Sequence, residues 1–222
     1  MQQVGKSESV DDFVKAVYML QQEHERASTN ALKDALDISA PSVTDMAKRL
    51  VEIGLVDYVK YQGVKLTEKG EAMALNLVRR HRLIELYLVR ELGYALHEVH
   101  EEADNLEHAV SDRFILAIDA KLGHPKFDPH GDPIPHSDGT ITRRNLRPLS
   151  QLPLATLARV SRLISTDTQM LQHTIDRGFA LNTEVEVTAR DPFEGPLTIT
   201  VGSQQTVIGF NVAESILVEV MS

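Results

Sequence analysis

Between His81 and His108 the chain reads HRLIELYLVRELGYALHEVHEEADNLEH, which puts six side chains able to ligate a metal on two consecutive predicted helices. His81 and Glu85 are four residues apart, as are His100 and Asp104, and Glu107 and His108 follow Asp104 at three and four. Positions i, i+3 and i+4 share a helix face because each residue turns by about 100°. With His100 at zero, Asp104 lies near ~40°, Glu107 near ~340° and His108 near ~80°, all in one sector. Imidazole nitrogens and carboxylate oxygens converging from one face make a donor set for a divalent transition metal. A solvated helix also carries His and Glu, and one such pair is ordinarily a surface pair or a satisfied core group. Two such clusters in tandem, separated by the turn Leu92-Gly93-Tyr94, favour metal binding.

A loop adds further donors. Residues 124–139, HPKFDPHGDPIPHSDG, form a Pro/Gly/His stretch of a length usually reserved for function. Its Asp128 and His130 flank Pro129; alone they read as loop polar groups, and beside the helical cluster they gain weight as ligands. The sequence has no cysteine, which removes thiolate sites and disulfide frameworks. No apolar run reaches the ~18 residues of a membrane-spanning helix. The start, MQQVGKSESVDD, lacks a basic region followed by an apolar stretch, so no secretory leader is expected and a cytoplasmic location is the default. A net charge of −9 over 222 residues argues against a generally basic nucleic-acid binder. It fits a chain that gathers carboxylates for cations, or one whose basic face is local.

The elements that would position these groups follow from periodicity. Val10, Phe13, Val14, Val17, Tyr18 and Leu20 give a helical stripe over about residues 8–24. Ser28-Thr29 precedes a short helix with Leu32, Leu36 and Ile38 apolar. After the break Ser39-Ala40-Pro41-Ser42 comes VTDMAKRLVEIG, with Pro41 suited to a first helical turn, Gly54 to the cap, and Val43, Met46, Ala47, Leu50 and Ile53 as its buried face. Two short helices with a tight connection are a helix-turn-helix, and LVDYVKYQGVKLTEKG adds a hairpin wing turning at Gly63. Ser39, Pro41, Ser42, Thr44, Asp45, Lys48 and Arg49 form the face offered to DNA, with Lys60 and Lys65 on the wing. Residues 26–70 carry seven Lys/Arg against six Asp/Glu, so a single copy should bind DNA modestly.

From Thr67 to about Glu91 one long helix is apolar on several sides, followed by helices over Leu96–Val110 and Ser111–Leu122. Burying that surface calls for a symmetric homodimer or for cover from the rest of the chain. The last third reads as a strand over Ala158–Ser165, a helix from its cap Asp167 to Arg177, and four short strands (VEVTAR, LTITVGS, QTVIGF, SILVEVM), a pattern of a small barrel.

The runs APSVTDMAKRLVEIGLV, KLTEKG, RRHRLIE, VHEEADNLEHAVSD and DPHGDPIP, in order over nearly the whole length, resemble the diphtheria toxin repressor family of iron- and manganese-dependent transcriptional regulators. The resemblance implies a mainly α amino-terminal two-thirds and a small all-β carboxy-terminal barrel. The segments would be a winged helix-turn-helix DNA-binding domain (1–72), a helical dimerisation and metal-binding domain (73–143) and an SH3-like, FeoA-like domain (144–222). It implies one metal site from Asp12, Asp104, Glu107 and His108, and a neighbouring one from His81, Glu85 and His100 with Asp167. Asp128 and His130 contribute in some manganese-type members. Iron-type members carry Met or Cys where this chain has Asp12 and Asp104. Short manganese-type members have Glu in place of Lys15, iron-type members an amide ligand in place of Met170, and a DNA-facing Gln in place of Asp45.

The function implied is a repressor of metal uptake, whose homodimer binds a palindromic double-stranded operator when loaded with Mn²⁺ or Fe²⁺. The sulfur-free donor set leans to Mn²⁺, although raw affinity order favours Cu²⁺ or Zn²⁺. A metal-independent winged-helix regulator of an organic ligand, a metallohydrolase and a metal buffer are the rival readings. No HExxH and no nucleophile motif is present, so no catalysis is expected. Arg49→Ala should weaken binding to all DNA sequences and flatten the salt dependence, as loss of a phosphate contact does. A changed preference at one base pair would instead make Arg49 a base reader.

Overall fold

Capping side chains set the helix boundaries of the amino-terminal region. Ser28 Oγ accepts the Ala31 amide at 3.1 Å to start α2 (Thr29–Leu36), and Ser39 Oγ accepts the Ser42 amide at 3.2 Å to start α3 (Ala40–Glu52). Between them Asp37 takes a left-handed φ of 50°, which ends α2 and makes the turn tight. The computed structural model describes residues 8–164 and 167–221. They fall into two compact units. The first holds the chain up to His81 with Glu107–Val110 and Pro135–Thr140; the second holds Arg82–Leu106, Ser111–Ile134 and the chain from Ile141.

In the first unit, α1 (Glu8–Leu20) buries Phe13, Val14, Val17 and Tyr18 and packs on α2 and on a hairpin strand. Leu32 of α2 and Val43, Ala47 and Leu50 of α3 complete that core. The hairpin pairs β1 (Val56–Val59) with β2 (Gly63–Leu66) in antiparallel register, Val56 opposite Leu66 and Val59 opposite Gly63. The long helix α4 (Glu68–Leu92) begins where Thr67 Oγ1 accepts the Gly70 amide at 3.1 Å. These elements form the winged helix-turn-helix that the sequence implied. Ile53 departs from the expected buried face: it is the cap beyond the last turn of α3 and stands 47% exposed.

The second unit continues α4 and adds α5 (Val99–Ala109), preceded by a turn where a helix from Leu96 was expected, and α6 (Asp112–Lys121), capped by Ser111. Its sheet has six antiparallel strands in the order β3-β8-β4-β5-β6-β7: β3 (Arg147–Pro148), β4 (Leu157–Leu163), β5 (Glu184–Arg190), β6 (Leu197–Val201), β7 (Gln204–Ile208) and β8 (Ile216–Val220). Helix α7 (Thr168–Asp176) follows β4, and a one-turn helix α8 (Phe210–Glu214) stands where a strand was expected to run on to Phe210. Ser165, the expected end of β4, lies outside the described residues. Phe179, Leu197, Ile199, Ile208 and Ile216 fill the core of this small sheet domain. The loop before it carries Gly131 at φ 90°, where a Cβ would stand 2.1 Å from the Ser161 carbonyl oxygen; only glycine lets the loop lie so close to β4.

Gly63 plays the same part in the wing. It lies after the turn, not in it, at φ 99°, and a Cβ there would stand 2.3 Å from the Ala27 carbonyl oxygen. That closeness serves the pair of 2.8 Å hydrogen bonds between Ala27 and Val64, which tie the wing to the segment before α2. Gly63→Ala should therefore lower stability by roughly 1–3 kcal/mol. An unchanged urea midpoint would show that the wing tolerates a wider separation.

Candidate metal centres

Each unit brings together within itself one group of metal-capable side chains. In the first, Asp12, Glu107 and His108 each offer a ligand atom within 4.8 Å of the others. Asp12 comes from α1, whose buried Phe13, Val14 and Val17 fix its rotation; Glu107 and His108 come from the last turn of α5. His108 Nε2 lies 3.2 Å from Asp12 Oδ1 and 3.6 Å from Glu107 Oε1. Buried Arg80 holds that turn in place by donating to the carbonyls of Glu107 at 3.0 Å and Val110 at 2.6 Å, a cation at a helix C-terminus. His81 Nδ1 lies 2.7 Å from Glu107 Oε2, and Lys15 Nζ donates to both Glu107 oxygens at 3.0 Å.

Charge in this group is unevenly compensated. Burial raises the pKa of Asp12, with Glu107 and Glu8 adding to the rise and His108 opposing it. Burial pushes Glu107 the same way, but the hydrogen bond to His81 and the Lys15 ammonium outweigh it and hold the carboxyl below its usual range. Asp11, absent from the sequence-derived ligand set, is also buried, with Oδ2 3.9 Å from His108 Nδ1. Its signal was available: it falls on the same helical stripe as Val14 and Tyr18, an odd place for a carboxylate.

In the second unit Glu85 of α4 and the loop residues Asp128 and His130 lie within 4.8 Å by their ligand atoms. His100 Nδ1 is 3.0 Å from Glu85 Oε1, and His130 Nδ1 is 3.9 Å from Glu85 Oε2. His130 Nε2 lies 3.2 Å from the Leu96 carbonyl oxygen; donating there leaves Nδ1 as the ligand atom, a standard orientation for a ligating imidazole. Asp128 Oδ1 accepts the amides of His130 and Asp132, each at 2.9 Å. The loop is pinned by arginines. Arg82 donates to the Pro133 carbonyl and to Asp132, Arg162 reaches Asp132 at 2.6 Å, and Arg144 lies 3.8 Å over the Phe127 ring while donating to the Gly131 and Ser161 carbonyls. Burial, then the neighbouring Asp132 and Glu85, push the Asp128 carboxyl up to about 8. A buried carboxyl held that high among other carboxylates fits a site for a cation, which would supply the missing positive charge.

The remaining expected ligands have partners of their own. Asp104 belongs to the second unit, with Oδ2 3.6 Å from His100 Nε2. Asp167 caps α7, its Oδ1 accepting from Gln169 at 2.8 Å and Met170 at 3.3 Å. On the expected DNA face, Ser39 and Ser42 are 2.8 Å apart by their hydroxyls, Pro41 and Arg49 are exposed, and Asp45 and Lys48 form a solvent-exposed pair at 3.9 Å. Thr44 is half-buried and spends its hydroxyl on the Ala40 carbonyl at 3.1 Å. Lys60 lies 4.8 Å over the ring of Tyr61, a 92% exposed residue at the wing tip that the sequence reading passed over.

The Asp128 environment yields a pH test. In the metal-free protein a carboxyl raised to about 8 contributes stability at low pH that is lost as pH rises from about 4 through about 8. Asp128→Asn keeps the acceptor oxygen and removes the titration. Its stability relative to wild type should grow across that window, and its stabilisation by Mn²⁺ should shrink. A pH-independent difference between the two would contradict the environment described.

Three family models match in order: the iron-dependent repressor N-terminal DNA-binding domain over 6–64, the iron-dependent repressor metal-binding and dimerisation domain over 67–136, and the FeoA domain over 147–220. An uncharacterised helix-turn-helix-type transcriptional regulator of Methanocaldococcus jannaschii is 38% identical over 122 residues, 54% of this chain and 96% of that one. The iron-dependent repressor of Mycobacterium tuberculosis is 25% identical over 224 residues, 96% of this chain and 97% of its own. A solved manganese-dependent transcriptional repressor in complex with manganese superposes with a TM-score of 0.87 at 38% identity, covering 96% of this chain and 100% of that one. With these domains in this order and that likeness over almost its full length, the chain belongs to the diphtheria toxin repressor family of iron- and manganese-dependent transcriptional regulators.

Proposed function

We propose that the chain is a metal-dependent repressor of metal-ion uptake, acting in the cytoplasm as a homodimer on a palindromic operator with Mn²⁺ as the preferred ion. The observation that carries this reading is the Asp12–Glu107–His108 group, because its members come from α1 of the helix-turn-helix unit and from the last turn of α5. The Glu85–Asp128–His130 group, with His100 beside it, is a second centre, and His81, Asp104 and Asp167 are further candidate ligands. Functional segments 1–72, 73–143 and 144–222 divide DNA binding, dimerisation with metal binding, and the sheet domain. Oxygen and nitrogen donors without sulfur suit Mn²⁺ and Fe²⁺.

When bound, a divalent ion supplies positive charge shared by Asp12, Glu107 and His108. Those three residues reach that arrangement only when α1 and the end of α5 are in register, so ligand binding favours that register by its differential affinity. Because α1 packs on α2 and β2, its register is passed to α3 and the wing. Ser39, Pro41, Ser42, Asp45, Lys48 and Arg49 on α3 then meet the duplex, with Lys60 following the backbone. Leu92, Tyr94, Phe114 and Leu116 stand exposed, and this apolar surface supports a two-fold interface between copies.

Mobility-shift assays on operator DNA test the reading. Wild type should bind with Mn²⁺ and release on chelation, while His108→Ala and Asp12→Ala should lose at least tenfold in Mn²⁺-dependent affinity and keep the fold by circular dichroism. Operator binding that ignores Mn²⁺ in the wild type would overturn it in favour of a metal-independent regulator.

A further inference from the structure

The Asp12–Glu107–His108 centre contains a cation of its own. Lys15 lies three residues after Asp12 on α1, on the same helix face. Its Nζ donates to both Glu107 oxygens at 3.0 Å and lies 3.1 Å from His81 Nδ1. This is not a surface ion pair: the Glu107 side chain is 2% exposed and the His81 side chain 6%, with Lys15 at 19%. One ammonium thus ties α1 to α5 at the carboxylate that His81 of α4 also contacts and that faces His108 and Asp12. A removed partner here leaves a buried carboxylate uncompensated, which is far costlier than losing an exposed pair.

Asp11, Asp12 and Glu107 are the buried or half-buried carboxylates of the group, with Glu8 at the solvent edge, and Lys15 and buried Arg80, both bonded to Glu107, are its cations. An ion arriving at Asp12 and His108 also draws on Glu107, whose two oxygens Lys15 already holds. The ammonium therefore does part of the ion's work before it arrives and contends with it for the same carboxylate.

Resting on the metal-centre reading above, the geometry points to Lys15 as a resident cation of this centre, which holds α1 to Glu107 without metal and competes with the divalent ion for Glu107. Lys15 is here a positioning residue. It sets how much of the assembled arrangement exists before metal binds, and so how large a change the ion produces.

The test uses full-length protein, thermal unfolding with and without Mn²⁺, and Mn²⁺ titration by calorimetry. Metal-free Lys15→Met should melt about 5 °C or more below wild type. Its melting temperature should rise further on Mn²⁺ than that of wild type, with a Kd for Mn²⁺ several-fold tighter at this centre. Lys15→Arg, which keeps a positive charge, should stay near wild type in both. A lower metal-free melting temperature with an unchanged or smaller Mn²⁺ gain would make Lys15 a purely structural tie and overturn the competition. Wild-type behaviour of Lys15→Met in both conditions would overturn the whole inference. Loss of the Mn²⁺ gain in His108→Ala, measured alongside, shows that the centre itself binds the ion; a His108→Ala gain equal to wild type would sink the metal-centre reading and this inference with it.

Discussion

A carboxylate buried inside a protein needs positive charge next to it, and the folded state depends on where that charge comes from. Glu107 and Glu85 are each only 3% exposed, Asp128 4% and Asp11 6%. Transferring an ionised carboxylate from water into such surroundings costs several kcal/mol unless it is paired or neutralised. The two units resolve the problem differently. Around Glu107 a lysine and a histidine compensate the charge and keep the carboxyl ionised. Around Asp128 the nearest cation, Arg82 with its Nε 3.6 Å away, is outweighed by burial and by Asp132 and Glu85, and the carboxyl is held protonated near neutral pH. The first centre is therefore partly satisfied before metal binds, and the second is not. Metal binding at the second should release a proton, while the first should exchange one cation's share of Glu107 for another's.

Both centres are held by scaffolding that binds no ion. Arg80 fastens the last turn of α5, from which Glu107 and His108 project. Arg82, Arg144 and Arg162 hold the loop that carries Asp128 and His130, and Gly131 lets that loop lie against β4. Most of these contacts go to backbone carbonyls or to the Asp132 carboxylate, so they fix the chain path around the ligands. Such support around a ligand set, rather than the ligands alone, determines how well the site is formed before an ion enters.

Much of the fold was legible because its signals are local. Ser28, Ser39, Thr67 and Ser111 each cap the helix that follows them, and the alternation of apolar residues marks the strands of the sheet domain. Helical spacing likewise put Glu107 and His108 side by side. Spacing could not tell what each side chain would meet on other elements. It paired Asp104 with His100, as the structure does, but His81, grouped by sequence with Glu85, has its Nδ1 on Glu107. Arg80 was not legible as a site residue for the same reason, since its role arises from carbonyls 27 and 30 residues away in the chain. Gly63 looked like a turn residue because glycine usually marks turns; its actual constraint, the approach of Ala27, is non-local.

The claim that these two clusters are the metal centres is tested most directly by anomalous diffraction from crystals grown with Mn²⁺, with data collected on both sides of the manganese absorption edge. The account predicts one peak bounded by Asp12, Glu107 and His108 and a second bounded by Glu85, Asp128 and His130, each vanishing below the edge. Manganese peaks elsewhere, with both clusters free of anomalous density at saturating Mn²⁺, would contradict it.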